Sequence, residues 1–203
     1  MNPGTSAGRP AGAPPPGRLL GTRAVLVPVK SFAQAKRRLD PALNETARRA
    51  LVQDLAERVV RAAAPLPVAV VCDDTEVADW ARRLGALVVW EPGRGLNGAV
   101  EAGVRYLSAV GVIEVTVAHG DLPRASGLAD LPRFSGVTLV PDRHGDGTNV
   151  IRLPAACGFR FSYGPGSFAR HRAECARLDL PVSVVRHPAL AVDVDWPADL
   201  RFA

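Results

Sequence analysis

Of the 25 basic residues in this chain only two are lysines, Lys30 and Lys36, and both fall in one segment that runs Val27-Pro28-Val29-Lys30 to Ala35-Lys36-Arg37-Arg38-Leu39. A lysine is a compact charge on a mobile stem, suited to a polyphosphate whose charge moves during reaction, whereas arginine binds through a fixed fork. With Arg38 these cations form a candidate phosphate cradle; a solvated basic loop is the alternative. Carboxylates supply the complementary chemistry. Asp121 lies in His119-Gly120-Asp121-Leu122-Pro123, and Asp193-Val194-Asp195 puts two carboxylates on one face if extended, because strand side chains alternate. Together the three offer oxygen ligands for a hard cation such as Mg²⁺, which takes carboxylates plus phosphate oxygens. Capping and turn formation compete for the same residues, and Asp195, just before Trp196-Pro197, is a candidate N-cap.

Further loops are polar and glycine-rich. Gly95-Leu96-Asn97-Gly98 permits close backbone approach and leaves amides free at a helix start, suited to an anion or a base edge, though an ordinary turn reads the same. It matches neither the P-loop nor the dinucleotide fingerprint. The loop from Asp142 through Arg143, His144, Gly145, Asp146 and Gly147 to Thr148 and Asn149 is too elaborate for a simple turn. Ser167, after Gly164-Pro165-Gly166, either caps a helix or opens an anion site with the amides that follow. His171, one turn further, reads as a surface or packing residue. No Ser/His/Asp order or Cys/His pair has a supporting context. A phosphate acceptor needs none, being already an anion near neutral pH. What it needs is alignment with a phosphorus atom and neutralisation of the leaving pyrophosphate.

These residues are positioned by alternating elements. Residues 24–29 read as a buried strand, and Asn44 caps a helix in which Ala47, Leu51, Leu55 and Val59 recur at a spacing of four. Strand 68–72, a helix capped by Asp74 and running to Leu84, strand 87–90, a helix from the glycine turn to about Ala109, and strands 114–118 and 137–140 follow. Then come an extended stretch at 149–153, a helix over 167–178 and a strand at 182–185. Such repetition implies an α/β fold, a mainly parallel sheet with helices on both faces, whose ligands bind beyond the carboxyl ends of the strands. A single domain over 23–203 is expected, preceded by a flexible tail over 1–22, since residues 1–17 hold five Pro and four Gly.

Composition excludes other classes. Net charge is +5, but Arg48, Arg49 and Arg58 stand beside Glu57 and other acids as a solvated helix face does, so nucleic acid is not an expected partner. No apolar run spans a membrane. Cys72, Cys157 and Cys175 fit neither a disulfide framework nor zinc spacing, so reduced thiols and a cytoplasmic setting are expected.

In their order, Val-Pro-Val-Lys at 27–30, Ala35-Lys36 with Arg38-Leu39, Gly95-Leu96-Asn97, Gly120-Asp121-Leu122-Pro123, Asp142-Arg143-His144-Gly145, Gly147-Thr148-Asn149, Gly164-Pro165-Gly166-Ser167-Phe168 and Asp193-Val194-Asp195 resemble one family. It is the phosphoenolpyruvate/2-phospho-L-lactate guanylyltransferases of coenzyme F-420 biosynthesis, and the resemblance covers about residues 24–200. It implies a Rossmann-like nucleotidyltransferase fold of the nucleotide-diphospho-sugar transferase type, with GTP as donor, Mg²⁺ as cofactor and pyrophosphate as product. By the same resemblance Thr148, Gly164 and Ser167 hold the phosphorylated acid, and Asp121, Asp193 and Asp195 hold Mg²⁺. Lys30, Lys36 and Arg38 meet the triphosphate, and Gly95 with Asn97 lines the guanine pocket. The activated acid then passes to a downstream transferase acting on a deazaflavin alcohol. The Arg- and Ala-rich, Lys-poor composition looks like that of a GC-rich bacterial gene, and for the bacterial branch the resemblance implies phosphoenolpyruvate in place of 2-phospho-L-lactate. Two positions depart from the expected pattern: His119, where a smaller residue is expected, and Asp146, which adds charge near an anionic acceptor. Sugar-phosphate and pterin-cofactor nucleotidyltransferases open with a glycine-rich first loop that this chain lacks. A non-catalytic nucleotide-binding regulator has no need of all three aspartates.

Overall fold

The computed structural model describes residues 21–203; the first twenty residues of the expected tail lie outside this range. Strand β1 (Arg23–Pro28) is followed by α1 (Glu45–Ala62), β2 (Val68–Cys72), α2 (Thr75–Arg83), β3 (Leu87–Trp90), α3 (Gly95–Ala109) and β4 (Glu114–Ala118). Then come β5 (Val137–Pro141), β6 (Thr148–Pro154), α4 (Ser167–Arg177), β7 (Val182–Val184) and a terminal 3-10 turn, Pro197–Phe202. The strands form one sheet in the order β3-β2-β1-β4-β6-β5-β7. β1 pairs in parallel with β2 and β4, and β2 with β3. β6 runs antiparallel to both neighbours, β4 and β5, while β7 is parallel to β5. The expected α/β sheet is therefore present with one reversed strand.

Helices cover both faces because the central strands are apolar on both sides. Val25 and Val27 of β1 pack with Val52, Val59, Val77 and Trp80 of α1 and α2. Their neighbours Ala24 and Leu26 pack with Val100, Val104, Leu107 and Cys175 of α3 and α4. Gly103 sets how closely α3 approaches β1, since a Cβ there meets Leu26 Cδ2 at 2.8 Å.

The caps at Asn44 and Asp74 are as expected, their carboxamide and carboxylate oxygens accepting the Ala47 and Val77 amides. The buried face of α1 differs. Ala47 is exposed, and the stripe runs through Arg48, Val52, Leu55, Ala56 and Val59. A strict spacing of four drifts by about 40° at each step around a helix of 3.6 residues per turn, so 47-51-55-59 leaves the face, whereas 48-52-55-59 stays on it. Arg48 is 4% exposed, so its place on a solvated face is corrected.

Candidate active site

Parallel β1 to β5 deliver their carboxyl ends to one rim, and reversed β6 brings its amino end, Thr148, to the same rim. A cleft of about 490 Å³ opens there, lined by Lys30, Lys36, Arg38, His119, Asp121 and Asp195 among others. The Lys36 ammonium pairs with Asp121 Oδ2 and Asp195 Oδ1 together. The main chain ties the two acidic segments, Val194 N donating to Asp121 O at 3.2 Å. Burial alone lowers the Lys36 pKa, but the charges of Asp121 and Asp195 outweigh it and hold the ammonium well above its ordinary value. Burial likewise pushes Asp121 up, and the Lys36 charge, with His119 and the hydrogen bond, brings it net below the usual carboxylate range.

Asp193 sits beside this pair. Burial, then the charges of Asp121 and Asp195, raise its carboxyl to about 6. Its nearest cation is Arg143, whose Nη1 lies 3.8 Å from Asp193 Oδ1 and donates to Asp193 O at 3.2 Å. Asp195 is not an N-cap. That position belongs to Trp196, whose amide donates at 2.8 Å to Asp199 Oδ2, the same oxygen that accepts the Asp195 amide at 3.0 Å. Arg143 Nη2 completes the set at 2.6 Å from Asp199 Oδ1. Asp199 escaped the sequence reading although Pro197 followed by Asp199 is a helix-start signature.

Among the described residues no three His, Cys, Asp or Glu side chains close around a single point for a metal. Mg²⁺ is commonly held by one or two carboxylates plus substrate phosphates and needs no all-protein cage. The donors fit: Asp121 Oδ1 is buried without a hydrogen-bond partner, and a cation, the Lys36 ammonium, already lies between Asp121 and Asp195.

The other candidates divide between two neighbouring regions. Lys30 is exposed and lines a second hollow with Ser31, Asp73, Glu91 and Gly95. The Arg38 guanidinium lies over the Trp196 ring at 4.8 Å. Asn97 turns away from that hollow, its Oδ1 accepting the Tyr163 amide at 2.7 Å. Thr148 and Ser167 are both buried. His171 is a packing residue: its Nε2 accepts from Ser162 N at 3.0 Å, so its Nδ1 carries the proton and donates to Thr148 Oγ1 at 3.0 Å. Burial and the Arg170 charge lower the His171 pKa to about 4. His119 links the regions, its ring lying 4.6 Å from that of Tyr163.

The amides at the start of α4 are engaged. Gly166 N donates to Asp146 Oδ2 at 2.8 Å, Phe168 N to Asp146 O at 2.9 Å, and Ser167 N to Gly164 O at 3.0 Å. The added charge of Asp146 is thus spent on a neighbouring loop. That loop folds around Asp142, whose carboxylate accepts the amides of His144, Asp146 and Gly147. A Cβ at Gly147 meets Asp142 Oδ2 at 2.7 Å, so a larger residue there displaces the carboxylate that organises the loop.

Comparison with known proteins gives a consistent picture. Residues 23–202 match the family described as guanylyl transferase CofC like. A phosphoenolpyruvate guanylyltransferase of Sphaerobacter thermophilus is 35% identical over 189 residues, covering 89% of this chain and 91% of the relative. One from Mycolicibacterium smegmatis is 33% identical over 210 residues, covering 98% and 92%. Among solved structures, a candidate nucleotide-diphospho-sugar transferase from Desulfovibrio desulfuricans superposes with a TM-score of 0.69 at 17% identity, over 88% of this chain and 84% of that one. The 4-diphosphocytidyl-2C-methyl-D-erythritol synthase of Anaerococcus prevotii gives 0.56 at 11%, over 89% and 93%. At such identities the two structures attest the nucleotidyltransferase fold.

Proposed function

Because the chain belongs to the guanylyl transferase CofC-like family, we propose that it transfers GMP from GTP to phosphoenolpyruvate, releasing pyrophosphate. The observation that carries this reading is the Lys36 ammonium set between Asp121 and Asp195 in the wall of the cleft. A phosphate oxygen of the acid attacks the α-phosphorus of GTP, the bond from that phosphorus to the bridging oxygen breaks, and pyrophosphate leaves with the electron pair. Lys30, Lys36 and Arg38 bind the triphosphate and spread its charge, and Gly95 borders the base, while Asn97, its Oδ1 on the Tyr163 amide, faces away from it. Thr148, Gly164 and Ser167 hold the acid. Asp121 and Asp195, with Asp193 beside them, hold Mg²⁺, which supplies electrostatic stabilisation of the reacting and departing phosphates. Support for a ligand here comes from buried polar atoms that have no partner among the described residues: His119 Nε2, Asp121 Oδ1 and Tyr163 Oη.

The product is an activated guanylyl diester, and a downstream transferase moves its acid part to a deazaflavin alcohol in coenzyme F-420 biosynthesis. No helix among the described residues is long and apolar enough to cross a membrane, and the proposed setting is the cytoplasm. The test is pyrophosphate release by the purified chain with GTP, Mg²⁺ and each acid in turn. Release with phosphoenolpyruvate and its loss on chelation are expected. Release with 2-phospho-L-lactate alone reassigns the acceptor, and release with glucose 1-phosphate alone overturns the assignment.

A further inference from the structure

Arg48 is among the most buried charged residues of the molecule, at 4% exposure, and its guanidinium faces one short loop. Its Nη1 donates to Ala33 O at 2.9 Å and also to Ala35 O. Its Nε lies 2.8 Å from Asp40 Oδ1, near enough for an ion pair but not aligned for a hydrogen bond. The three acceptors bracket Lys36, which has a left-handed backbone at φ 56° and ψ 36°. Side chains with a Cβ rarely adopt that conformation, and it persists only where the surroundings impose it. Ala35 C=O belongs to the peptide that precedes Lys36, so holding its plane sets one of the two sides that define φ of Lys36 and so restrains the direction in which the lysine stem leaves the main chain.

We propose that Arg48 is a positioning residue for Lys36: by gripping the carbonyls of Ala33 and Ala35 it holds the lysine backbone in the turn that delivers the ammonium to Asp121 and Asp195. Arg48 stands on α1, outside the cleft, and acts on the reaction only through Lys36. A second arginine of the same helix braces the opposite side, Arg58 Nη1 donating at 3.1 Å to Pro123 O, two residues beyond Asp121. Helix α1 thus holds both partners of the ion pair from behind. The inference rests on the nucleotidyltransferase reading for its catalytic consequence alone.

Two readouts test it in the free, full-length chain. Because Lys30 and Lys36 are the only lysines, incorporation of lysine labelled with carbon-13 at Cε gives two side-chain resonances, with Lys36 the broader and shifted one in the wild type. In Arg48→Met the Lys36 resonance sharpens and moves to the position of the exposed Lys30, and trypsin cuts first within residues 36–38. Arg61→Ala, which removes an exposed arginine paired with Glu57 on the same helix, changes neither. In the pyrophosphate assay Arg48→Met lowers kcat/KM about 10- to 100-fold, the range expected when a reacting group is misplaced by an ångström. In a Lys36→Met background the same change costs nothing further, because a residue that works through Lys36 has nothing left to position. A Lys36 resonance unmoved in folded Arg48→Met, or independent penalties that multiply in the double variant, overturns the proposal. Should Arg48→Met fail to fold, Arg48→Gln, which keeps a donor for one carbonyl but not the two-carbonyl grip and adds no lysine signal, is read by the same criteria. A wild type that releases no pyrophosphate sinks the functional reading, and the resonance and the trypsin pattern still decide on Arg48.

Discussion

The carboxylate of Asp199 accepts the main-chain amide of Asp195 at 3.0 Å while its other oxygen takes Arg143 Nη2 at 2.6 Å, so the segment bearing Asp195 is fixed from a buried neighbour. Partners of this kind are worth about 10- to 100-fold in metal affinity or activity. Asp199→Ala is expected to lower kcat/KM for pyrophosphate release by about that factor, and Asp199→Asn, which keeps an acceptor oxygen, by less. Full activity in Asp199→Ala removes it from the support of the site.

Lys36→Met leaves Asp121 and Asp195 facing each other without their cation. Removing one partner of a buried pair costs about 3–5 kcal/mol, and the figure falls here because the Asp195 side chain is 42% exposed. The variant is expected to melt several degrees lower at pH 7, and millimolar Mg²⁺ to raise its Tm more than that of the wild type. Thermal scans with and without Mg²⁺ check this; equal shifts in the two proteins place the metal elsewhere.

Folding raises the Asp193 carboxyl from 3.8 to about 6, through burial and the charges of Asp121 and Asp195. The folded chain therefore favours its protonated form, and stability declines as pH rises from 3.8 to about 6, where ionisation is forced. A bound cation reverses that preference. Mg²⁺ affinity is expected to strengthen as pH rises from 5 to 7, with proton release on binding below about 6. Calorimetry in two buffers of different ionisation enthalpy measures that release, and Asp193→Asn abolishes it. Turnover in Asp193→Asn falls about a hundredfold or more, the loss typical of an electrostatic stabiliser.

His171 is depressed from 6.5 to about 4 by burial and by Arg170. The unfolded chain binds the proton first, so the neutral imidazole's contribution to stability is complete above 6.5 and is lost as pH falls towards 4. Protonation also fills Nε2, which then cannot accept the Ser162 amide. Tm is expected to fall across that window, and His171→Gln to flatten the fall. An equally steep profile in the variant assigns the acid sensitivity to other groups.

The strand–helix alternation was legible because each buried strand is an apolar run closed by a capping residue, as at 68–72 before Asp74. The direction of β6 was not: its apolar residues read the same either way, and orientation follows from the length of the link to β5, which is short enough for a hairpin. The convergence of Lys36 with Asp121 and Asp195 followed from placing each at a strand end or in the terminal acidic segment. Arg48 was misplaced because its neighbours Arg49 and Arg58 are partly exposed and pair with Glu76 and Asp54, and one arginine on the apolar stripe carries no compositional mark. Asp146 read as free charge because its partner, the Gly166 amide, is distant in sequence.

Because β6 is reversed, β5 and β6 meet the rim as a hairpin whose tip, residues 142–147, reaches Asp193 through Arg143 and the start of α4 through Asp146, while the cation-bearing loop after β1 belongs to the wound half of the sheet. Changing this hairpin tip interrupts no crossover between parallel strands, although Arg143 and Asp146 within it anchor Asp199 and the start of α4. On the proposed reading, relatives that accept different acids are expected to diverge first in the tip of this hairpin, at positions other than its anchors Asp142, Arg143 and Asp146.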